Sequence, residues 1–165
     1  MMTPLALLPN LPERDGPRPA TDKRPPHTQL EQLASPADRQ RLSEELVSGL
    51  TSLADIQPGL SRRAPPGSVG FYLDPAKAVP TPRCFMLDTE IAHVHSRDDG
   101  SLHAILPEPV RTQAIEAGWA EPHPFAGQPT ISPDIVMIYA PRNEAELATI
   151  VSLVSVGYAN ARRAP

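Results

Sequence analysis

Four of the five histidines in this chain lie between residues 93 and 123. Imidazole is the side chain whose unperturbed pKa lies closest to neutrality, so it transfers protons at physiological pH and, when neutral, binds metals. His93 and His95 are two residues apart, so in an extended strand their side chains project from the same face. The segment from His93 to His123 is therefore the strongest candidate for a functional site.

The turn Arg97-Asp98-Asp99-Gly100-Ser101 decides whether His103 joins this pair. A three-residue turn over Asp98-Asp99-Gly100, with Gly100 in the left-handed conformation, places His103 directly opposite His95 and brings three histidines to one face. A two-residue Asp99-Gly100 turn instead pairs His95 with Ala104 and sends His103 to the other face. We favour the register that gathers the three histidines.

Three interpretations of the cluster stay open. In the first, His95 is a general base that takes a proton from an enol or hydroxyl group, and His103 or Arg142 holds the resulting anion. In the second, His93, His95 and His103 bind a divalent metal, with a carboxylate from Glu90, Glu121 or Glu31. In the third, the histidines are structural strand residues whose rings bond to the backbone.

Three further residues are candidates for binding a substrate. His123 lies between two prolines in the rigid loop Trp119 to Pro133, where it either faces a ligand or faces solvent. Trp119 either stacks on a planar ligand or anchors the core. Arg142 precedes a helix and either binds an anion there or pairs with Glu144 or Glu146.

The composition indicates one domain without a nucleic-acid partner. Seven of the 22 prolines lie in the first 26 residues, so we expect a disordered tail over residues 1–25 and a single domain over 26–161. The net charge of -4 provides no basic surface for nucleic acid. The run PLALL is too short and too broken by prolines to be a signal peptide or a membrane span. With its single cysteine, Cys84, the chain is expected to be soluble and cytoplasmic.

Local patterns predict an α+β domain. Ser35, Pro36 and Asp38 mark a helix start, followed by an apolar stripe of Leu42, Leu46, Leu50 and Leu53. Strands are expected in SVGFYLD, CFMLD, Glu90 to His95, Leu102 to Leu106 and DIVMIYA. A helix is expected between Pro107 and Gly118, and the capping box of Asn143 and Glu146 begins the last helix. The order predicts a mixed or mainly antiparallel sheet packed against about three helices.

Three motifs carry a resemblance to a known family. EIAHVHSRDDGSLHAIL, AGWAEPHPFAG and YAPRNEAEL, with a last helix ending GYANA, resemble the luciferase-domain family, which includes the fungal luciferases. The resemblance spans roughly residues 28–161, with TQLEQ as a weaker early match. It implies that His93, His95, His103, His123, Glu90, Trp119 and Arg142 are pocket residues.

The resemblance also implies an activity. Fungal luciferases oxidise a 3-hydroxy-α-pyrone with molecular oxygen and without an added organic cofactor, so the chain is expected to be a cofactor-independent, oxygenase-type enzyme for an enolic small molecule. The membrane segment of the fungal enzymes and their light emission are not expected to carry over. A non-catalytic small-molecule binding module remains the alternative, and so does a metal-dependent enzyme.

Overall fold

The computed structural model describes residues 7–165, which contain eight strands and three helices. The strands are β1 Thr21–Asp22, β2 Thr28–Gln29, β3 Ile56–Leu60, β4 Val69–Leu73, β5 Glu90–Val94, β6 Leu102–Ile105, β7 Ala120–Pro122 and β8 Ile135–Ile138. The helices are α1 Pro36–Thr51, α2 Val110–Glu116 and α3 Glu144–Ala161, and short 3-10 turns cover Pro75–Lys77 and Pro82–Cys84.

Six strands form an antiparallel sheet in the order β3-β4-β5-β6-β8-β7, and β1 pairs with β2 in a separate two-stranded hairpin. Helices α1 and α3 pack on each other and on one face of the sheet, where the main apolar core lies. Helix α2 contacts β7 and α3. The predicted α+β class, with a mainly antiparallel sheet and three helices, is confirmed.

The two long helices begin where their capping residues predict. Ser35 Oγ accepts a hydrogen bond from the Asp38 amide at the start of α1, at 3.2 Å. Asn143 caps α3 in the same way by accepting the Glu146 amide at 2.9 Å. Each bond satisfies an amide that has no partner inside its helix, which is why these residue types stop a helix from extending further back.

The predicted strand CFMLD is wrong. Its first residue ends the 3-10 turn Pro82–Cys84, and the Met86 amide then donates back to the Glu90 carbonyl at 2.8 Å, closing a tight loop before β5. Four strands were not predicted: the short β1 and β2 of the hairpin, and β3 and β7 of the main sheet. Strand β3 contains Pro58 and Gly59 and lies at the sheet edge, where a proline is tolerated, and β7 lies within the expected loop Trp119 to Pro133.

The register of the histidine hairpin differs from both predicted alternatives. His93, not His95, lies opposite His103, and the His95 amide donates to the Ser101 carbonyl at 2.9 Å. The turn is longer than expected because the His95 carbonyl accepts both the Asp98 and Gly100 amides, so five residues form the loop. The shift is two residues, and side chains alternate with a period of two, so the three histidines still share one face. Gly100 has the predicted left-handed conformation, with φ of 79°.

Residues 7–25, the described part of the predicted tail, lie along the domain. The Arg14 amide donates to the Ala117 carbonyl at 2.9 Å, and the Trp119 indole donates to the Pro12 carbonyl at 2.7 Å. Arg14 is buried. Residues 1–6 are outside the described part of the chain, and the domain boundary at residue 26 stays a prediction. Within residues 7–165, no helix combines the length and apolar character needed to cross a membrane.

Candidate functional site

The histidine cluster lies on the face of the sheet that points away from α1 and α3. Ala92 and Val94 point into the core beneath the helices, so the alternating His93 side chain emerges on the other face. His103 emerges beside it from β6, with its ring centroid 5.0 Å from that of His93 and 4.8 Å from that of His95. All three histidines are at most 3% exposed.

Two more imidazoles reach this face from other parts of the chain. The hairpin of β1 and β2 places the His27 ring parallel to that of His103, with centroids 5.2 Å apart and His27 Nδ1 3.1 Å from His103 Nε2. His123, which follows β7, lies with its ring centroid 4.7 Å from that of His103. All five histidines of the chain therefore form one cluster.

His27 was missed by the sequence analysis. It lies next to the segment predicted to be a disordered tail, far from the other histidines in the chain. The one local signal is its setting after two prolines, in Pro25-Pro26-His27, which is similar to the setting of His123 in Pro122-His123-Pro124.

A row of polar contacts crosses the cluster between two carboxylates, and hydrogen bonds link its first four members. At one end, His93 Nδ1 lies 3.0 Å from Glu90 Oε1, and His93 Nε2 lies 3.0 Å from His103 Nδ1. His103 Nε2 then contacts His27 Nδ1, and His27 Nε2 lies 3.8 Å from Glu121 Oε2 at the other end. We call this the carboxylate–imidazole row: Glu90, His93, His103, His27 and Glu121.

Neighbouring residues fix both ends of the row. Ser61 Oγ lies 3.2 Å from Glu90 Oε1 and also 3.2 Å from His93 Nδ1. Gly70 makes room for the Glu90 carboxylate, because a Cβ at this position would lie 2.6 Å from Glu90 Oε2. At the other end, Lys23 forms an ion pair with the Glu121 carboxylate.

His95 stands beside the row and is oriented by the hairpin loop. Ser101 Oγ donates to Asp99 Oδ1 at 2.7 Å, so its oxygen accepts the proton of His95 Nδ1 at 3.1 Å. This arrangement leaves His95 Nε2 as a lone pair. That atom is buried and has no hydrogen-bond partner among residues 7–165.

Burial favours the neutral form of four imidazoles, those of His27, His93, His103 and His123. Desolvation lowers the pKa of His93 and places that of His103 well below its ordinary value. Desolvation, reinforced by the neighbouring histidines, lowers the pKa of His27 and of His123 to about 4. Neutral imidazoles present lone pairs, which suit them to accept protons or bind metals.

A cavity of about 170 Å³ opens beside the row. Four imidazoles line it, those of His27, His93, His103 and His123, together with the cationic side chains Lys23 and Arg63. The rest of its wall is largely apolar and consists of Pro25, Pro26, Met86, Phe125, Ile131, Ser132 and Ile135. An apolar cavity of about 150 Å³ binds benzene, so the space suits a ligand with one six-membered ring.

Two groups of imidazoles have the spacing of metal ligands. In His93, His95 and His103, one ring nitrogen from each residue lies within 4.8 Å of the other two, and the same is true of His27, His103 and His123.

The structure brings five of the seven predicted site residues together and separates two from them. His93, His95, His103, His123 and Glu90 meet in the cluster. Trp119 is 2% exposed and packs in the core, with its indole bonded to Pro12. Arg142 pairs with Glu146, with 2.5 Å between Nη2 and Oε1. Neither Trp119 nor Arg142 lines the cavity.

Comparisons with known proteins agree on one family. Residues 88–157, which include four of the five histidines, match the model of the luciferase domain. The chain is 33% identical over 169 residues to a luciferase of Armillaria mellea and 32% identical to one of Armillaria gallica, in each case across 92% of this chain. A luciferase of Neonothopanus nambi is 37% identical over 73 residues, which is 42% of this chain and 27% of that protein.

The alignment covers only part of each relative. The chain spans 62% of the length of the two Armillaria luciferases. No solved structure is significantly similar to it. The family model and the Armillaria relatives together support similarity of this chain to the luciferase-domain family.

Proposed function

We propose that this protein is a small oxygenase-type enzyme that binds a planar enolic molecule, similar to a hydroxy-pyrone, and promotes its reaction with molecular oxygen. The observation that carries the proposal is the cavity, because it is sized for one ring and is lined by four neutral imidazoles beside two cationic side chains. The named relatives are luciferases, and luciferases are oxygenases acting on small molecules, which supports the same class of reaction.

The chemistry begins with removal of the enol proton. Our candidate acceptor is His95, since its Nε2 lone pair is used by no hydrogen bond among the described residues. His95 does not line the cavity itself, whereas His93 and His103 do, so the proton is relayed to it by their ring nitrogens, one from each of which lies within 4.8 Å of a ring nitrogen of His95. The electron-rich anion left in the cavity is the species that reacts with oxygen.

His123 is suited to hold that anion. The Phe125 amide donates to His123 Nδ1 at 3.0 Å, so a neutral His123 carries its proton on Nε2. Burial keeps the ring neutral, with a pKa of about 4, so it is a hydrogen-bond donor without being an acid at neutral pH. A fixed donor of this kind stabilises a developing oxyanion.

A second candidate function is a non-catalytic binding module. The observation that favours it is the position of His95, because a base that does not line the cavity is poorly placed for direct proton transfer. In this case the cavity binds a small anion and releases it unchanged.

Oxygen uptake in the presence of simple hydroxy-pyrones tests the proposal. We expect catalysed uptake by the unmodified chain, a loss of about 100- to 10,000-fold in kcat for His95→Ala, and a loss of about 100- to 1,000-fold for His123→Ala. Asp98→Asn is the matched control, because Asp98 is exposed in the same hairpin loop. Calorimetric binding without uptake would support the binding module, and the absence of both would refute the proposal.

A further inference from the structure

The carboxylate–imidazole row holds one proton fewer than its buried ring nitrogens need. The row has four junctions. Three are within hydrogen-bond distance, namely Glu90 to His93, His93 to His103 and His103 to His27, and the fourth, His27 Nε2 to Glu121 Oε2, is an open contact of 3.8 Å. Each junction needs one proton between its two atoms, because carboxylate oxygens and unprotonated ring nitrogens only accept. Three neutral imidazoles supply three protons. The three hydrogen-bonded junctions use all three protons, so His27 Nε2 faces the Glu121 carboxylate as a lone pair.

A second anomaly lies beside the row. His95 Nε2 is a buried lone pair without a partner among the described residues, and His27 Nε2 is likewise without a hydrogen bond. A buried acceptor without a partner costs about 1–3 kcal/mol, so two at one site call for an explanation. An extra proton in the row would complete the four junctions, but His95 Nε2 would still lack a partner.

We infer that His93 Nε2, His95 Nε2 and His103 Nδ1 form a binding site for one divalent transition-metal ion. An ion there replaces the junction between His93 and His103, which are 3.0 Å apart at these nitrogens. The three remaining junctions then use the three available protons. His103 Nε2 donates to His27 Nδ1, His27 Nε2 directs its proton toward Glu121, and His95 Nε2 gains a partner.

The groups behind the three ligands match what a metal site needs. A metal-binding histidine usually donates its other ring proton to a carboxylate or a similar acceptor, which fixes the ring and raises its basicity. Glu90 plays this part for His93, and Ser101 with Asp99 plays it for His95. His27, backed by Glu121, plays it for His103.

The other group of three imidazoles does not qualify. His123 Nδ1 accepts the Phe125 amide, so its proton lies on Nε2 and neither nitrogen has a lone pair free for a metal. His27 and His103 alone provide two ligands. The hydrogen bonds thus distinguish two groups that distance alone does not.

Three neutral imidazoles that leave further positions open are a ligand set typical of catalytic zinc, iron and copper sites. Such an ion lowers the pKa of an oxygen ligand and stabilises its anion. The inference rests on the proposed function and changes the role of His95 in it. His95 Nε2 binds the ion, an oxygen ligand of the ion takes the enol proton in its place, and the expected cofactor-free cluster becomes a cationic one. The inference is also testable without any substrate.

The first experiment is plasma mass spectrometry of the tag-free protein, followed by removal of metal with a chelator and calorimetric titration with Zn²⁺. We expect one site per chain and binding more than about 100-fold weaker in His95→Ala. His123→Ala is the matched control and keeps the affinity, because His123 offers no lone pair. Equal Zn²⁺ affinity in His95→Ala, or no binding to the unmodified chain, would overturn the inference.

Two further measurements test the inference even if His95→Ala fails to fold. Glu90→Gln keeps the three ligands and is expected to weaken Zn²⁺ binding by about 10- to 100-fold. In Cu²⁺-loaded protein, electron paramagnetic resonance should show hyperfine coupling to several nitrogens; coupling to fewer than two would contradict the ligand set. Metal binding without oxygen uptake would refute the proposed function alone, and oxygen uptake by metal-free protein would refute the catalytic use of the ion.

Discussion

Replacing Gly70 by alanine tests the site through a residue that carries no functional group. Gly70 lies opposite His93 in the sheet, and its missing side chain leaves room for the Glu90 carboxylate. A Cβ there would lie 2.6 Å from Glu90 Oε2, whereas ordinary contacts begin at 3.4 Å, so the carboxylate must move by up to about 0.8 Å. The 3.0 Å bond from Glu90 to His93 then lengthens beyond hydrogen-bond distance.

The expected cost follows from that bond. A hydrogen bond to a charged group contributes about 1.5–3 kcal/mol to the free energy of unfolding. Replacing glycine by alanine in a strand increases that free energy by about 0.5–1 kcal/mol. The net loss is about 1–2 kcal/mol, which corresponds to a decrease in Tm of about 2–8 °C for a chain of this length. Zn²⁺ affinity should fall by about 10- to 100-fold, as expected when a ligand loses its supporting carboxylate.

Gly59 provides the matched control. It pairs directly with Gly70 across β3 and β4, and a Cβ at Gly59 would meet only Tyr72, at an ordinary 3.4 Å. Thermal melts by circular dichroism and Zn²⁺ calorimetry compare Gly70→Ala with Gly59→Ala. If both variants have the same Tm and the same affinity, Gly70 does not act by making room for Glu90.

The remaining predictions concern acid, the hairpin loop and helix packing. Burial lowers the pKa of His27 and His123 to about 4, below the pKa of histidine in the unfolded chain. Their neutral forms therefore stabilise the fold fully above about pH 6.5, and this contribution is lost as the pH falls toward 4. Thermal melts of chelator-treated protein should show a loss of about 2 kcal/mol per imidazole from pH 7 to 5; an unchanged Tm would contradict the burial argument. Asp99→Asn weakens buried bonds to two backbone amides and should lower Tm by about 4–8 °C, whereas Asp98→Asn should not. In Gly157→Ala, the new Cβ overlaps a β6 carbonyl, so urea melts should show a loss of about 1–3 kcal/mol; a more stable variant would contradict this packing.

The starts of α1 and α3 were predictable because the residues that determine them lie close together in the sequence. The side chains that cap α1 and α3 bond to amides three residues away, so Ser35 and Asn143 mark the helix starts in the sequence itself. Strands β3 and β7 lack such signals. Their short segments contain Pro58 and Pro122 and form strands because neighbouring strands β4 and β8 present unpaired edges to them.

The sequence predicts that the three histidines share one face of the sheet, but it does not predict the register of the hairpin that carries them. Alternation alone places His93 and His95 together, and any shift by two residues keeps His103 with them. The actual register depends on Asp99, whose carboxylate accepts the Gln29 amide at 2.6 Å and the Ser101 amide at 2.9 Å. The first of these bonds spans 70 residues of sequence, so no pattern within the hairpin contains it.

The partners of the imidazoles distinguish a functional cluster from a structural one. A structural histidine in a strand bonds its ring to the backbone, and within residues 7–165 only His123 of the five does so. The rings of His27, His93 and His103 bond to one another and to carboxylates, and His95 bonds to a serine that is itself held by a carboxylate. Removing so many polar groups from water weakens folding unless each finds a complete set of partners, and two ring nitrogens find none in the described part of the chain. An arrangement that is incomplete without a bound species is expected of a site rather than of a core, and the bound species that completes this one is a cation.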